Sequence, residues 1–362
     1  MQKYKRIVIK VGTKVITSKD RALDKERIKD IAQQISDIQD NGVEVLLVTS
    51  GAIGAGMWLL GLKKRPVNLH ELQATASIGQ NYLMHLYSEY FKLRGYLAGQ
   101  ILLTQEDFND RKRYLNIKHT IGALLGHNAI PIINENDTVA TDEIKCGDND
   151  RLSSLVADLC QANSLIILTD VEGLIDRDGR LITSVQEINQ NILSLAGSSR
   201  CDLGTGGMAT KIESANTVTQ AGIECVIANG KKKNILLDIM RGEGVGTTFK
   251  SAKSGLIARK RWIAFSSKSK GAISIDEGAV TALLKKNKSL LASGIVGVKG
   301  DFASGEVISI EGPKNREIAR GVANYSSDEI SKIKGLKSSR FKSILGYEGH
   351  DEVVHKDNLV IL

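Results

Sequence analysis

The sequence predicts an α/β protein: an open, mostly parallel β-sheet sandwiched by helices, followed by a small, mostly-β domain. Short continuous apolar runs, typical of strands buried on both faces of a sheet, alternate with longer stretches of helical periodicity. Strands and helices that alternate at this spacing form right-handed βαβ units and hence a parallel sheet. Near residue 250 the pattern changes to short strands separated by glycines, which indicates a second domain of different architecture.

The elements of the first domain follow from these runs, taken in order. Strands are predicted at residues 6–11, 43–48, 97–103, 129–133, 165–168 and 223–228. Helices are predicted at residues 23–40, 69–93, 111–127, 152–160 and 212–220. In the first of these helices Ile28, Ile31 and Ile35 recur at helical spacing, and Asn41-Gly42 ends it.

Two domains are expected because 362 residues exceed the usual size of one hydrophobic core. We place the first domain at residues 1–255 and a small, polar, linker-like segment at residues 256–270. The second domain covers residues 271–362, a length that is able to fold alone. Within it, strands are predicted at residues 272–275, 295–298, 307–310 and 359–362 and a helix at residues 278–286.

The composition is that of an ordinary globular protein, with 42% apolar and 25% charged residues. No apolar run approaches the ~20 residues that span a bilayer, and the N-terminus lacks the apolar core of a signal peptide, so no membrane partner is expected. The four cysteines are widely spaced and form no Cys-x-x-Cys pair, which predicts reduced thiols in a cytoplasmic protein. The net charge of +8 comes from short, dispersed clusters, which indicates solvated faces rather than a nucleic-acid-binding tail.

A stretch rich in carboxylates and amides follows the strand predicted at residues 129–133. It contains the polar side chains of Asn134, Glu135, Asn136, Asp137, Asp142, Glu143, Asp148, Asn149 and Asp150. Ligands of open α/β sheets bind beyond the carboxyl ends of the strands. This stretch is therefore predicted to form one wall of a site for a cationic group, a metal ion or both. A solvated loop with Asx turns is the alternative interpretation.

Two glycine-rich segments are notable: one follows the strand predicted at residues 43–48, and the other leads into the helix predicted at residues 212–220. Residues 50–56, Ser-Gly-Ala-Ile-Gly-Ala-Gly, lack the Gly-x-Gly-x-x-Gly spacing of a dinucleotide fingerprint and the Gly-Lys-Ser/Thr of a Walker A loop. They predict a generic anion cradle, with tight strand–helix packing as an equal alternative. In the second segment, Gly204, Gly206 and Gly207 precede a helix with Lys211 in its first turn, which is typical of a phosphate site.

Lys10, at the end of the first predicted strand, adds a second lysine. Two lysines, two anion-binding loops and a carboxylate-rich loop fit phosphoryl transfer, whose catalysis is mostly positioning and neutralisation of charge by lysine and Mg²⁺. No Ser-His-Asp set and no activated cysteine is evident in the sequence. From the residues alone, the protein is a small-molecule kinase or another nucleotide-binding α/β protein.

Five motifs make the first 255 residues similar, in order, to the amino-acid kinase family. They are Val-Ile-Lys-Val-Gly-Thr (8–13), Val-Thr-Ser-Gly-Ala-Ile-Gly-Ala-Gly (48–56), Asn-Glu-Asn-Asp (134–137), Lys-Cys-Gly-Asp-Asn-Asp (145–150) and Gly-Thr-Gly-Gly-Met-Ala-Thr-Lys (204–211). Cys146 stands where another small residue is usual. The tail resembles the PUA domain, through Gly-Ala-Ile-Ser-Ile-Asp-Glu-Gly-Ala (271–279) and Gly-Ile-Val-Gly-Val-Lys-Gly-Asp-Phe (294–302).

The resemblance implies ATP-dependent phosphorylation of the γ-carboxylate of L-glutamate to glutamyl 5-phosphate, the first step of proline synthesis. It implies that Lys10 and Lys211 contact the phosphates as catalytic residues and that Asp150 orients both lysines. By position, the ATP site comprises Lys10, Gly12, Thr169, Asp170, Thr205, Gly206, Gly207, Met208, Ala209, Thr210 and Lys211. The glutamate site comprises Ser50, Gly51, Ala52, Asn134, Asp137 and Asn149. Mg²⁺ is expected on the ATP, with no metal site formed by the protein itself.

Two sets of alternatives stay open. Within the resemblance, kinases of aspartate, acetylglutamate, carbamate and uridylate share the ATP side, and residues 134–150 distinguish them. The alternative from a different class is an RNA-binding or regulatory protein, because PUA domains bind RNA elsewhere. Residues 270–362 carry 14 basic and 12 acidic residues, which is a weak positive balance for a nucleic-acid surface.

Regulation and assembly are expected from the resemblance as well. Proline is the expected feedback inhibitor; it carries an ammonium and a carboxylate but no γ-carboxylate, so it is expected to compete for the amino-acid pocket. We expect the loop at residues 116–145 to set this sensitivity. A homo-oligomer, either a dimer or a tetramer, is expected to form through the kinase domain.

Overall fold

The computed structural model describes residues 4–18, 22–139, 148–196, 207–251, 263, 269–286, 288–313, 316–347 and 349–362. The chain divides into two compact units, Met1–Gly255 and Leu256–Leu362. Most of the predicted linker, residues 256–270, lies outside the described residues. The predicted fold class is confirmed, since the first unit holds a mostly parallel sheet with helices and the second holds a separate β-rich sheet.

The first unit is organised around a sheet with eight described strands. These are β1 (Arg6–Val11), β2 (Glu44–Thr49), β3 (Ala98–Leu103), β4 (Ile130–Glu135), β5 (Ser164–Thr169), β6 (Ser184–Val185), β7 (Glu224–Asn229) and β8 (Thr247–Phe249). Their order across the sheet is β3-β4-β2-β1-β5-β7-β8-β6. The first six in this order are parallel, whereas β8 runs antiparallel to β7 and carries β6 parallel to itself. The carboxyl ends of β1, β2, β4, β5 and β7 therefore share one edge of the sheet.

Burial explains why the central strands read as continuous apolar runs. Every residue of β5 is buried, as are the last five residues of β1 and of β2. A strand covered on both faces has no solvent-facing side, so its sequence does not alternate between apolar and polar residues. Among the five buried residues of β1, only Lys10 is charged.

Ten described helices accompany this sheet. They are α1 (Thr13–Ile16), α2 (Lys25–Asp40), α3 (Ala52–Leu59), α4 (Leu69–Lys92), α5 (Gln105–Asn109), α6 (Arg111–Gly126), α7 (Asp148–Leu159), α8 (Gln190–Leu195), α9 (Met208–Gln220) and α10 (Ile235–Arg241). In α2 the Asp24 side chain accepts the backbone N–H of Arg27 and caps the helix, while Ile28, Ile31 and Ile35 are fully buried. Residues 116–145, named above as the loop that sets proline sensitivity, include most of α6 and all of β4, in line with the helix and strand predicted at residues 111–127 and 129–133.

The second unit has its own sheet and its own core. Its strands are β9 (Ala272–Ile275), β10 (Ile295–Lys299), β11 (Val307–Gly312), β12 (Arg316–Val322) and β13 (Leu359–Ile361), in the order β10-β9-β11-β12-β13. Only the β9–β11 pair is parallel among the described strand pairs of this sheet. The described helices are α11 (Glu277–Lys286), α12 (Ser327–Ile333) and α13 (Phe341–Leu345), with short 3₁₀ turns at Ala292–Gly294, Ser338–Arg340 and Lys356–Asn358. Ile273, Ile308, Ile310 and Tyr325 belong to one buried cluster.

The predicted starts of two helices lie four residues too late, and α3 is absent from the prediction; all three cases concern segments whose composition is typical of loops. The helix predicted from residue 152 begins at Asp148, the one predicted from residue 212 begins at Met208, and α3 begins at Ala52 within the glycine-rich segment 50–56. Asp, Asn and Gly favour both loops and the first positions of helices, so composition alone did not separate the two. The capping box of α12, in which Ser326 and Glu329 exchange hydrogen bonds, was a missed signal in the sequence.

Candidate active site

Two lysines from distant parts of the chain meet at one buried carboxylate. Lys10 lies in β1, Lys211 lies near the start of α9, and Asp150 lies in the first turn of α7. Lys10 Nζ is 2.5 Å from Asp150 Oδ1, and Lys211 Nζ is 3.1 Å from Asp150 Oδ2. All three side chains are buried, and Asp150 has no exposed surface. The structure therefore brings together the three residues that the sequence singled out as catalytic.

The charges of this cluster shift the protonation of its members. Burial opposes ionisation of Asp150, but the ammonium groups of Lys10 and Lys211 outweigh it and hold the pKa of Asp150 below its usual range. Burial lowers the pKa of Lys211, and the attraction of Asp150 offsets this only in part. Two cations and one anion leave an excess positive charge in a water-poor site, which suits the cluster to bind an anion.

Helix α9 begins beside the cluster. Gly207 precedes its first residue, Met208, in an extended conformation, and Ala209 follows in the first turn. Thr210 Oγ1 lies 2.9 Å from Asp150 Oδ2 and contributes a further hydrogen bond to that carboxylate. The N-terminus of a helix attracts anions through its unpaired N–H groups and its dipole. Thr205 and Gly206, the remaining predicted ATP residues of this segment, lie outside the described residues.

The ends of β1 and β5 form the other side of the predicted ATP site. Asp170, just after β5, accepts Lys14 Nζ at 3.1 Å and Thr169 Oγ1 at 3.3 Å. Partial burial opposes ionisation of Asp170, and the hydrogen bond and charge of Lys14 outweigh it, so the pKa of Asp170 lies below its usual range. Gly12 N–H donates to Leu168 O at 3.0 Å, and a Cβ at Gly12 would lie only 3.3 Å from that oxygen.

Three of the predicted glutamate residues are in direct contact. Asn149, in the first turn of α7, directs its Nδ2 group at Thr49 O at 3.1 Å, Ser50 Oγ at 2.9 Å and Asn134 Oδ1 at 3.0 Å. Asn134 Nδ2 in turn donates to Gln80 Oε1 at 2.8 Å. These contacts join the carboxyl ends of β2 and β4 to the helix that carries Asp150.

The glycines of segment 50–56 have different structural reasons. Gly51 precedes α3 with a φ of +107°, a conformation that residues with a side chain rarely adopt, so Ser50, Gly51 and Ala52 form the turn into the helix. A Cβ at Gly56 would lie 1.9 Å from Thr75 O, so this glycine allows α3 and α4 to approach closely. The packing alternative therefore holds for Gly56, whereas Gly51 is required by the turn at residues 50–52.

Asp137, the predicted partner for the substrate ammonium group, is half-buried just after β4. It lines a cavity of about 500 Å³ together with Gln100 of β3, Glu135 of β4, and Gln80 and other side chains of α4. Two carboxylates and several amides in one cavity suit a ligand with an ammonium group. Gln80 links this cavity to the cluster of amides, because it also contacts Asn134.

Two side chains at the site were missed by sequence reasoning. Lys14 directly follows the motif at residues 8–13, and this position next to the motif was a usable signal. Gln80 lies inside the long helix α4, far along the chain from every motif, and no local pattern distinguishes it. In the described part of the chain, no group of three or more His, Cys, Asp and Glu side chains is arranged to hold a metal ion. None of the described helices is long and apolar enough to cross a membrane.

Comparison with known protein families agrees with this architecture. The pattern of the Amino acid kinase family matches residues 5–229, and that of the PUA domain matches residues 271–345. The first match covers more than half of the chain and includes β1, α7 and α9, which carry Lys10, Asp150 and Lys211. The fold and the site thus define a kinase of the amino acid kinase class followed by a PUA domain.

Full-length relatives narrow this assignment. The glutamate 5-kinase of Caldanaerobacter subterraneus subsp. tengcongensis is 49% identical, with 99% of this chain and 98% of the relative covered. The glutamate 5-kinase of a Thermoanaerobacter species is 48% identical at the same coverage, and that of Geobacter sulfurreducens is 44% identical with 100% and 99% covered. The chain belongs to the glutamate 5-kinase family.

Proposed function

We propose that this protein transfers the γ-phosphoryl group of ATP to the γ-carboxylate of L-glutamate and forms L-glutamyl 5-phosphate, the first step of proline biosynthesis. The observation that carries the proposal is the pair of buried lysines joined by Asp150 at the carboxyl edge of the parallel sheet. The names of the full-length relatives support glutamate as the acceptor.

The reaction needs no general base. The side-chain carboxyl of free glutamate has a pKa of about 4.3, so it is ionised at neutral pH and is already a nucleophile. One of its oxygens attacks the γ-phosphorus, the bond from that phosphorus to the β,γ-bridging oxygen breaks, and ADP leaves with the electron pair. The obstacle is the repulsion between an anionic carboxylate and an anionic triphosphate, and the protein has to remove it.

We assign Lys10 and Lys211 to the phosphates and Asp150 to the positioning of both lysines. The two ammonium groups carry more charge than the single carboxylate between them, so a net positive charge is available where the transferred phosphoryl group passes. Burial strengthens this charge because little water is present to screen it. Since Asp150 contacts each lysine through a different oxygen, this single carboxylate can position both ammonium groups.

We assign the rest of the ATP site to Gly12, Thr169, Asp170 and the segment from Thr205 to Thr210. The N-terminus of α9 supports this, since its N–H groups suit a phosphate, and Asp170 at the end of β5 suits the polar part of the nucleotide. Mg²⁺ would arrive on the ATP and neutralise its β- and γ-oxygens. The oxygens of Asp150 are engaged by Lys10, Lys211 and Thr210, which supports a metal carried by the nucleotide rather than by this carboxylate.

We assign the amino acid to the turn at residues 50–52 and to Asn134, Asp137 and Asn149. The half-buried carboxylate of Asp137 is the natural partner of the ammonium group. The mutual contacts of Asn149, Ser50 and Asn134 support a preformed wall, which helps to fix the attacking oxygen in line with the leaving oxygen.

The decisive experiment offers the purified protein ATP, Mg²⁺ and one acceptor at a time: glutamate, aspartate, acetylglutamate, carbamate or uridylate. ADP release measured with a coupled assay is expected with glutamate and at much lower rates with the others. Hydroxylamine added to the reaction should trap the acyl phosphate as a hydroxamate, which distinguishes carboxylate transfer from simple ATP hydrolysis. Preference for another acceptor, or ADP release without hydroxamate, would refute the proposal.

We also propose inhibition by proline at the amino-acid pocket, because proline offers the same ammonium and carboxylate groups. Segment 116–145 is the part proposed to set the sensitivity: its described residues include most of α6, all of β4 and the proposed glutamate residues Asn134 and Asp137. Inhibition should be competitive with glutamate. Non-competitive inhibition would place proline elsewhere.

Assembly and location are proposed on surface chemistry. Trp58, Leu59 and Leu60 at the end of α3 are each more than 40% exposed, which supports a dimer or tetramer formed through the kinase unit, to be checked by light scattering.

The buried free thiols of Cys160 and Cys225 support a reducing, cytoplasmic location. RNA binding by the PUA unit is a minor proposal, and an RNA gel shift that weakens steeply with salt would support it.

A further inference from the structure

Gln80, in the middle of α4, is connected to the proposed glutamate site by a chain of three amides. Asn149 Nδ2 donates to Asn134 Oδ1 at 3.0 Å, and Asn134 Nδ2 donates to Gln80 Oε1 at 2.8 Å. Gln80 also lines the cavity of about 500 Å³ that contains Asp137. It therefore links the amides of Asn134 and Asn149 to the cavity, which other side chains of α4 also line.

The direction of this hydrogen-bond chain is fixed at its far end. The Asn149 amide faces the carbonyl oxygen of Thr49 at 3.1 Å, and a carbonyl oxygen only accepts, so the NH₂ group of Asn149 must lie there. Asn134 Oδ1 accepts both this NH₂ group and the backbone N–H of Glu135, at 2.9 Å. Gln80 must then present its carbonyl oxygen to Asn134, because the NH₂ group of Asn134 has to donate.

Each end of the chain carries a buried polar atom without a partner among the described residues. These atoms are Oδ1 of Asn149 and Nε2 of Gln80. A buried acceptor or donor without a partner is costly, and in native structures such groups mark functional positions. Oδ1 of Asn149 accepts only, so it suits a donor such as the ammonium group of an amino acid.

We propose that Gln80 is a positioning residue for the amino-acid acceptor. By accepting from Asn134 it supports the amide orientation that the backbone N–H of Glu135 also favours, and it holds Asn134 in place beside Asn149, whose carbonyl oxygen stays available to the substrate. This inference rests on the proposed function, since it assigns Asn149 to the acceptor. The ATP side should be unaffected, because Lys10 and Lys211 are both held by Asp150, which is not one of these three amides.

The test compares two substitutions of Gln80 by steady-state kinetics. Gln80→Met keeps the length of the side chain but removes the oxygen that accepts the hydrogen bond from Asn134. The KM for the amino-acid substrate should therefore rise about tenfold, the scale of one lost buried hydrogen bond, while the KM for ATP stays within about twofold. Gln80→Glu keeps an oxygen that can accept the hydrogen bond from Asn134. Its KM for the amino-acid substrate should therefore lie closer to that of the unmodified protein than to that of Gln80→Met. Gln73→Met is the matched control, because Gln73 lies on the same helix but is not one of the three hydrogen-bonded amides. It should change neither KM.

A merely structural role for Gln80 predicts a different pattern. In that case Gln80→Met, which adds no charge to a partly buried position, would be tolerated at least as well as Gln80→Glu. Alternatively, both KM values would shift together with the melting temperature. Either result overturns the proposal. All ratios are taken with the acceptor that the unmodified protein turns over fastest. A protein that prefers an acceptor other than glutamate thus refutes the proposed function while the role of Gln80 is still tested.

Discussion

Lys10 and Lys211 approach the same carboxyl group from opposite oxygens, at 2.5 Å and 3.1 Å, although one lies in the first strand and the other in the ninth helix. Asp150, which they share, is fully buried. The cluster therefore holds two positive charges for one negative charge before any ligand binds. Like charges in a buried site cost free energy, and an arriving phosphate relieves that cost. The excess positive charge is therefore expected to lower the stability of the fold and to favour phosphate binding.

Replacing one lysine should remove activity without weakening the fold. Lys211→Met leaves Lys10 and Asp150 as a neutral pair and removes the excess buried charge. We expect kcat to fall at least about a hundredfold, the scale of losing one group that stabilises the transition state, and the melting temperature to stay equal or rise. Steady-state assays and thermal unfolding on the same preparation check both parts. Turnover near that of the unmodified protein would refute the role of Lys211, and so would a loss of activity that merely follows unfolding.

Replacing the carboxylate should have the opposite effect on stability. Asp150→Asn leaves two buried ammonium groups without an anion, and we expect a loss of about 3–5 kcal/mol in the free energy of unfolding of the kinase unit. Adding Lys211→Met to this variant should recover part of the loss, because only one unpaired cation then remains. Denaturant titration of the four proteins of this cycle measures the coupling. Additive effects would mean that Asp150 and Lys211 do not interact.

The parallel topology of the kinase unit made it predictable that Lys10, Asp150 and Lys211 lie close together. The starts of helices α7 and α9 could not be predicted in the same way. Strands β1 and β5 are buried along nearly their whole length, so the sequence marks them clearly, and parallel strands bring their carboxyl ends to one edge. Asp148 and Met208 begin helices that we had predicted to start four residues later, since the local residues favour loops and helix starts equally. Gln80 was unpredictable because its role depends on Asn134, which reaches it only through tertiary packing.

The lowered pKa of Lys211 predicts opposite responses of stability and activity at alkaline pH. Its pKa in the folded protein lies below the ordinary lysine value near ~10.4. Between these two values the unfolded chain binds more protons than the folded one, so the contribution of Lys211 to the free energy of unfolding increases as the pH rises. The charge needed for phosphate binding is lost over the same window, so kcat/KM should fall.

Profiles of kcat/KM and of melting temperature measured on the same buffers check this. Lys211→Arg is the control, because arginine stays protonated throughout; its residual activity should lack the alkaline decline that Lys211 causes. A decline that is unchanged in Lys211→Arg would assign it to another group. For Asp150 the sign is reversed: its lowered pKa stabilises the fold above the ordinary value near ~3.9, and this contribution is lost as the pH falls through the folded-state pKa.

Asp137 is expected to affect one substrate only. Asp137→Asn keeps the shape of the side chain but removes the charge that we pair with the ammonium group, so the KM for glutamate should rise at least about tenfold and the KM for ATP should hardly change. Glu187→Gln, an exposed carboxylate just after β6, is the matched control. Equal changes in both KM values would remove Asp137 from the amino-acid pocket.

The close approach of α3 and α4 gives a stability prediction that is independent of the chemistry. A Cβ at Gly56 would lie 1.9 Å from the carbonyl oxygen of Thr75, and a Cβ at Gly79 would lie 1.8 Å from that of Ala52. Backbone atoms at these distances have to move, so Gly56→Ala and Gly79→Ala should each cost about 3 kcal/mol or more and disturb the turn at residues 50–52. Gly54→Ala is the control from the same helix: its nearest neighbours would lie 3.9 Å away, and alanine favours the helix, so stability should rise by up to about 1 kcal/mol. Thermal and denaturant unfolding of the three variants measure the contrast; similar stabilities would show that the two helices are not held at this distance.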